Sequence, residues 1–215
     1  MESKAMDTGY ILADESCMQR GAEELAAREP AFRLVLETCG PPPLRLRPDG
    51  FDALLGAIVS QQVSTAAARA IWGRMEGGGL TTPARIALAS DEELRAAGLS
   101  RQKIRYARAL AEAGVDYAAL RTAPEGEIIA TLTAVPGIGR WTAEIYAMFS
   151  LGRADVFAPA DLALQEGARM LFALPDRPRE AALRRMAEAW SPWRTVAAGM
   201  LWAYYAQMKS RDGIA

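Results

Sequence analysis

The chain has 215 residues, 51% apolar and 24% charged, with a net charge of −1; this suits one compact body or two small lobes, and no apolar run reaches the ~20 residues that span a bilayer. Histidine is absent, which excludes Ser-His-Asp and Cys-His nucleophile systems and histidine-ligated zinc or haem. Cys17 and Cys39 are the two cysteines, too few for a zinc ribbon or a four-cysteine iron–sulfur cluster; acid–base work falls to Asp, Glu, Lys or Tyr.

In chain order, the polar start from Met1 to Tyr10 lacks a signal-peptide pattern, so the expected location is the cytoplasm, or the nucleoid in a bacterium, with Met6 an alternative start. Apolar residues then recur at three- and four-residue spacing in an Ala-, Leu-, Arg- and Glu-rich sequence, which predicts helices almost throughout. They are expected over about 20–28, 31–39, 51–75, 83–89, 91–97, 101–113, 125–133, 141–150, 161–171, 179–189 and 193–209. Gly40 to Pro43 and Gly77 to Gly79 break the pattern, Ser90 is placed to cap the helix that follows, and Leu44 to Leu46 could be a short extended piece. Arg101, Lys103, Arg105 and Arg108 cluster in the sequence, and the run Arg101-Gln102-Lys103-Ile104-Arg105 reads first as a solvated helix face, with DNA-backbone contact as the second reading. The near-neutral charge argues only mildly against nucleic acid, because distribution matters more than the total.

The most informative stretch runs from Leu132 to Ala143. Pro136 ends one helix, Gly137 and Gly139 allow a tight turn, Ile138 can plug back into the core, and Arg140 opens a second helix. Backbone N–H groups at such a turn point outward and can hold an anion. The alternative is an ordinary Pro-Gly helix corner. Val135-Pro136-Gly137-Ile138-Gly139-Arg140 is more specific than a bare GxG.

Downstream stands Asp155-Val156-Phe157-Ala158-Pro159-Ala160-Asp161-Leu162. Together with the hairpin this resembles the signature of the helix-hairpin-helix (HhH-GPD) DNA glycosylases. Ala57 to Ser64, Trp190-Ser191-Pro192-Trp193-Arg194 and Trp202-Ala203-Tyr204-Tyr205 narrow the resemblance to the DNA-3-methyladenine glycosylase II branch, over roughly Pro30 to Tyr205. It implies an all-α, two-lobed fold with the active-site cleft between the lobes. One lobe would be 51–150, carrying the hairpin at 132–143; the other would be discontinuous, 1–50 plus 151–215.

The resemblance also assigns roles. Asp161 matches the catalytic aspartate. Gly137, Gly139 and Thr142, with Arg140, match the DNA-phosphate grip. The carbonyls of Thr133, Val135 and Ile138 match those that hold a structural Na+ or K+; no catalytic cofactor is implied. Trp141 and Trp202 match walls of the base pocket, whereas Trp72, Trp190 and Trp193 read as core. Gln62 matches the residue that fills the gap left by a flipped base, replacing the type member's apolar wedge. Ile145 and Leu162 stand where that member has pocket tyrosines. The type member also has an additional N-terminal domain.

Lyase-active superfamily members carry lysine where this chain has Trp141, so hydrolysis alone is expected. Asp161 begins an expected helix, where capping is the ordinary use of Asp; Asp155 reads as structural. The implied function is monofunctional excision of 3-methyladenine-type purines from duplex DNA, by a monomer with no membrane association. Alternatives are a non-catalytic lesion-binding protein, a glycosylase for deaminated or etheno purines, a glycosylase for oxidised or mismatched bases (against whose common forms the absent lysine and iron–sulfur cysteines argue), and an unrelated helical scaffold.

Overall fold

The structure, a computed structural model, describes residues 9–211; Met6, the alternative start, and all of the polar chain start but Gly9 and Tyr10 lie outside that range. The described residues form thirteen helices: α1 Glu15–Arg28, α2 Pro30–Cys39, α3 Phe51–Ser60, α4 Thr65–Gly77, α5 Pro83–Leu88, α6 Asp91–Ala96, α7 Arg101–Glu112, α8 Tyr117–Leu120, α9 Glu125–Thr133, α10 Arg140–Phe149, α11 Leu162–Leu171, α12 Glu180–Glu188 and α13 Arg194–Arg211. The only β pairing among them is an isolated antiparallel bridge between Ile11 and Arg153; Leu44 to Leu46 forms no strand. None of the helices is long and apolar enough to cross a membrane.

Local chemistry explains most boundaries. Asp14, Ser64, Thr82, Ser90, Ser100 and Asp116 each accept a backbone N–H at a helix start, and Ser90 and Glu93 complete a capping box. The single helix expected over 51–75 is two. Gln61 turns to an extended conformation, Gln62 takes φ +56, and Ser64 caps the new helix through the Ala67 N–H. The short α8 and the first turn of α1 were not expected; both open on an aspartate cap.

The chain divides into two compact units. One is Arg47–Tyr146; the other joins the described residues up to Leu46 with those from Ala147 onward. In the first, α7 packs on α3, α5 and α6, and α3 packs on α4. Its core includes Leu54, Leu55, Ile58, Met75, Ile86, Leu94, Leu110 and Ile128, all fully buried. The expected solvated basic face is corrected here. Lys103 is buried, and Arg108 braces the Ala89 carbonyl and Asp91, which leaves Arg101 and Arg105 exposed.

In the second unit α13 packs on α1, α2 and α11. Trp193 and Trp190 lie in its core, with Trp190 meeting Phe32, Phe157 and Phe172 ring to ring. A Cβ on Gly167 would stand 2.8 Å from the Leu201 carbonyl. Glycine therefore allows α11 and α13 to approach closely, and those two helices carry the candidate active-site residues of this unit.

Candidate active site

The hairpin is built as its sequence suggests. Helix α9 ends at Thr133, the Val135 and Ile138 side chains are buried, and the Ile138 N–H donates to the Val135 carbonyl at 3.0 Å. Gly137 has φ +96, and a Cβ there would run into the Tyr106 ring, so this position excludes any side chain. Gly139 differs: nothing lies within 4 Å of a Cβ built on it. Its own unit gives no packing reason for glycine, and the open space above it is where an anionic ligand can approach the backbone. The leading N–H groups of α10 have no partner in their own helix ladder. Thr142 is buried in that first turn, and Arg140, 55% exposed, pairs with the buried Glu144 carboxylate at 2.9 Å. Trp141 is 44% exposed, and Ile145, one turn on and half-buried, shares its helix face.

The turn between α3 and α4 presents Gln62 and Val63 to solvent. A non-glycine residue at φ +56 is strained by about 1 kcal/mol. Its neighbour Gln61 donates from Nε2 to the Gly137 carbonyl at 2.9 Å, which ties this turn to the hairpin.

In the other unit Asp161 is the N-cap of α11. Its Oδ1 accepts the Ala163 and Leu164 N–H groups at 2.9 and 3.0 Å and the Trp202 indole N–H at 3.2 Å. Three donors on one oxygen fix the carboxylate plane. Its Oδ2 has no donor among the described residues. Capping and an accessible carboxylate oxygen thus coexist in one side chain. Leu162 beside it is 62% exposed, unusual for leucine, and Trp202 lies against Phe149 with ring centroids 5.7 Å apart.

The backbone leading to Asp161 is clamped from several sides. Thr195 Oγ1 lies 2.6 Å from the Arg153 carbonyl and 2.8 Å from that of Val156, and its N–H donates to the Ala154 carbonyl at 2.8 Å. Asp155 accepts from Arg194 and Ser191, the structural use expected of it. Gln165 donates to the Pro159 carbonyl at 2.8 Å.

The sequence model described as "HhH-GPD superfamily base excision DNA repair protein" matches residues 55–193. The chain belongs to this superfamily. DNA-3-methyladenine glycosylase 1 of Schizosaccharomyces pombe is 36% identical over 162 residues, 71% of each chain. Among solved structures, the DNA-3-methyladenine glycosidase of Bacillus halodurans superposes with a TM-score of 0.81 at 37% identity, covering 88% of this chain and 91% of its own. The S. pombe 3-methyladenine DNA glycosylase in complex with abasic DNA superposes at 0.73 and 31% identity, covering 85% and 95%.

Within this HhH-GPD chain the sequence-derived residues fall into three groups. Thr133, Val135, Gly137, Ile138, Gly139, Arg140 and Thr142 form one turn, followed on α10 by Trp141 and Ile145. Gln62 reaches that turn through Gln61. Asp161, Leu162 and Trp202 form the third group. Gln61, Phe149, Arg194 and Thr195 were missed as supports. Gln61 had a visible cue, lying beside Gln62 at the end of an apolar helix; the others depend on partners distant in sequence.

Two of the three hairpin carbonyls expected to hold a monovalent cation differ in their hydrogen bonding. The Thr133 carbonyl at the end of α9 accepts no backbone N–H among the described residues, while that of Val135 accepts one. Neutral carbonyl oxygens suit Na+ or K+. No cluster of three or more Asp, Glu or Cys able to hold a metal occurs among the described residues.

Proposed function

We propose that the protein is a monofunctional DNA glycosylase that hydrolyses the N-glycosidic bond of alkylated purines, 3-methyladenine among them, in duplex DNA. The observation that carries the proposal is the Asp161 carboxylate, held through Oδ1 by three donors with Oδ2 left to act. The names of the relatives, and the abasic DNA bound by one of them, support the substrate class.

The chemistry follows from the charges involved. An alkylated purine is already cationic, so the C1′–N bond can break with its electron pair going to the base. The base leaves neutral and needs no strong acid, in keeping with a chain that has no histidine. Positive charge then develops on the sugar at C1′. A fixed carboxylate oxygen beside C1′ stabilises that charge and accepts a proton from the attacking water. Preorganisation matters because Asp161 need not reorient when the charge appears.

The buried glycosidic bond requires the nucleotide to leave the stack. In the first unit the open backbone over Gly139 and the N-terminus of α10 would grip a phosphate, Gln62 would fill the gap, and the exposed face of Trp141 would stack on the extruded base. A cationic base gains about 1–2 kcal/mol from an indole face when desolvated. Na+ or K+ at the Thr133, Val135 and Ile138 carbonyls would add positive charge to the phosphate grip. Trp141 occupies the place of the lyase lysine, so no amine there can form a Schiff base, and hydrolysis is the expected outcome.

The test is base release from methylated duplex DNA by the native protein and by Asp161→Asn. Release of 3-methyladenine that disappears in the variant, with DNA binding retained, is expected. No release by either, with binding intact, would instead favour a lesion-binding role; β-elimination products or borohydride-trapped adducts would overturn the monofunctional assignment.

A further inference from the structure

The α3 end of the turn that presents Gln62 is secured twice within its own unit. Gln61 Nε2 donates to the Gly137 carbonyl at 2.9 Å. Just before it, the buried Lys103 Nζ donates to the Val59 carbonyl at 2.6 Å. That carbonyl belongs to the last turn of α3, whose C=O groups have no partner in the helix, and a cation there complements the helix dipole. Burial lowers the Lys103 pKa, the cost of placing an ammonium where it meets a carbonyl rather than a carboxylate.

The Gln62 turn and the hairpin also rest on one helix. Three residues after Lys103 on α7 comes Tyr106, whose ring underlies Gly137 at φ +96. Residues three apart share a helix face, so α7 supports the Gln62 turn through Lys103 and the hairpin through Tyr106. Gln61 joins the two turns directly. Gln62 adopts φ +56, a conformation that a non-glycine residue keeps only where its surroundings hold it.

Resting on the glycosylase reading, we infer that Gln61, with Lys103 behind it, is a positioning residue for base extrusion. It sets the position of Gln62 relative to the phosphate held by the hairpin, so that the gap-filling side chain enters the duplex at a fixed distance from the gripped backbone. Gln61 touches neither base nor sugar in this role; it acts through Gln62. A purely structural bond would matter for stability or for the phosphate grip itself, and this difference can be measured.

The experiment uses Gln61→Glu and Gln61→Met, which keep approximate length and remove the donor, with Lys103→Met as a second way to loosen the turn. Four quantities are compared with wild type: melting temperature, affinity for undamaged duplex, single-turnover base release from alkylated duplex, and fluorescence of 2-aminopurine placed beside the lesion to report unstacking. Stability and undamaged-duplex affinity should remain within about twofold, while the single-turnover rate falls about tenfold and the fluorescence rise shrinks. Adding either Gln61 variant to Gln62→Ala should cost nothing further, because both act through one side chain. Losses that multiply in the double variant, unchanged rates in both Gln61 variants, or a parallel loss of undamaged-duplex affinity would each overturn the inference. In those cases base release by the wild type leaves the glycosylase reading standing. A wild type that releases no base defeats both.

Discussion

The hairpin and the Asp161 corner do their proposed work with different materials. The hairpin is a backbone device: its shape comes from Pro136, the Gly137 conformation and the buried Val135 and Ile138, all within a few residues. The Asp161 corner is a side-chain device. One carboxylate is oriented by two amides of its own helix and by an indole 41 residues away, and its approach is clamped by Thr195 and the Asp155–Arg194 ion pair. A backbone site can be written into a short motif; a side-chain site needs a folded neighbourhood.

The strongest way to test this contrast is at Asp161. Asn caps a helix about as well as Asp, so Asp161→Asn should preserve α11 and the melting temperature while removing the negative charge. Single-turnover base release should fall by about 100- to 1,000-fold with duplex affinity largely retained. A matching fall in stability would mean that the cap, not the charge, was being measured.

The hairpin makes an opposite prediction, and its two glycines separate packing from binding. Gly137→Ala forces a Cβ into Tyr106 at φ +96 and should destabilise by roughly 2–4 kcal/mol, visible as a lower Tm. Gly139→Ala meets no protein atom within 4 Å and should leave Tm nearly unchanged while weakening duplex binding about tenfold. That binding should fall steeply with salt. If Gly139→Ala binds duplex normally, the open space over that turn is not the phosphate site.

Trp202 sharpens the comparison at smaller amplitude. Trp202→Phe keeps an aromatic ring and removes the N–H donated to Asp161. A hydrogen bond to a charged group contributes about 1.5–3 kcal/mol, so base release should slow by roughly 10- to 100-fold. Trp202→Ala should be slower still, with duplex affinity kept. If Phe behaves as wild type, the indole is a pocket wall and does not orient the carboxylate.

The smallest effect tests the first unit away from either site. Burial pushes the pKa values of Tyr117 and Tyr146 up to about 12 from 10.0, and the Tyr146 hydroxyl accepts the Gly50 N–H at the start of α3. The fold favours their neutral forms, so their contribution to stability is fully present below pH 10 and is lost as pH rises toward 12. Ultraviolet titration of the native protein should show two tyrosines ionising late; normal titration of all six would contradict their burial.

Much of this was legible in the sequence because it is local. Helical periodicity, the cap at Ser90 and the Pro-Gly-Ile-Gly turn are decided by neighbours within four residues, and the exclusions from composition need no structure. The break at Gln61 to Ser64 was missed because an apolar pattern ran across it, although Ser64 offered a capping signal. The basic run on α7 was misread because charge in a sequence says nothing about burial. Lys103 goes inside to meet a carbonyl 44 positions away.

The sequence by itself determined most of the helices and the hairpin's backbone shape, since these follow from short-range sterics and capping, and it singled out Asp161 as the candidate carboxylate through a contiguous motif. Only the tertiary structure decided which oxygen of Asp161 is left accessible, that Trp202 orients it, and that Gln61 joins the Gln62 turn to the hairpin. These depend on the directions of side chains brought together by packing, and no periodicity along the chain encodes a direction in space.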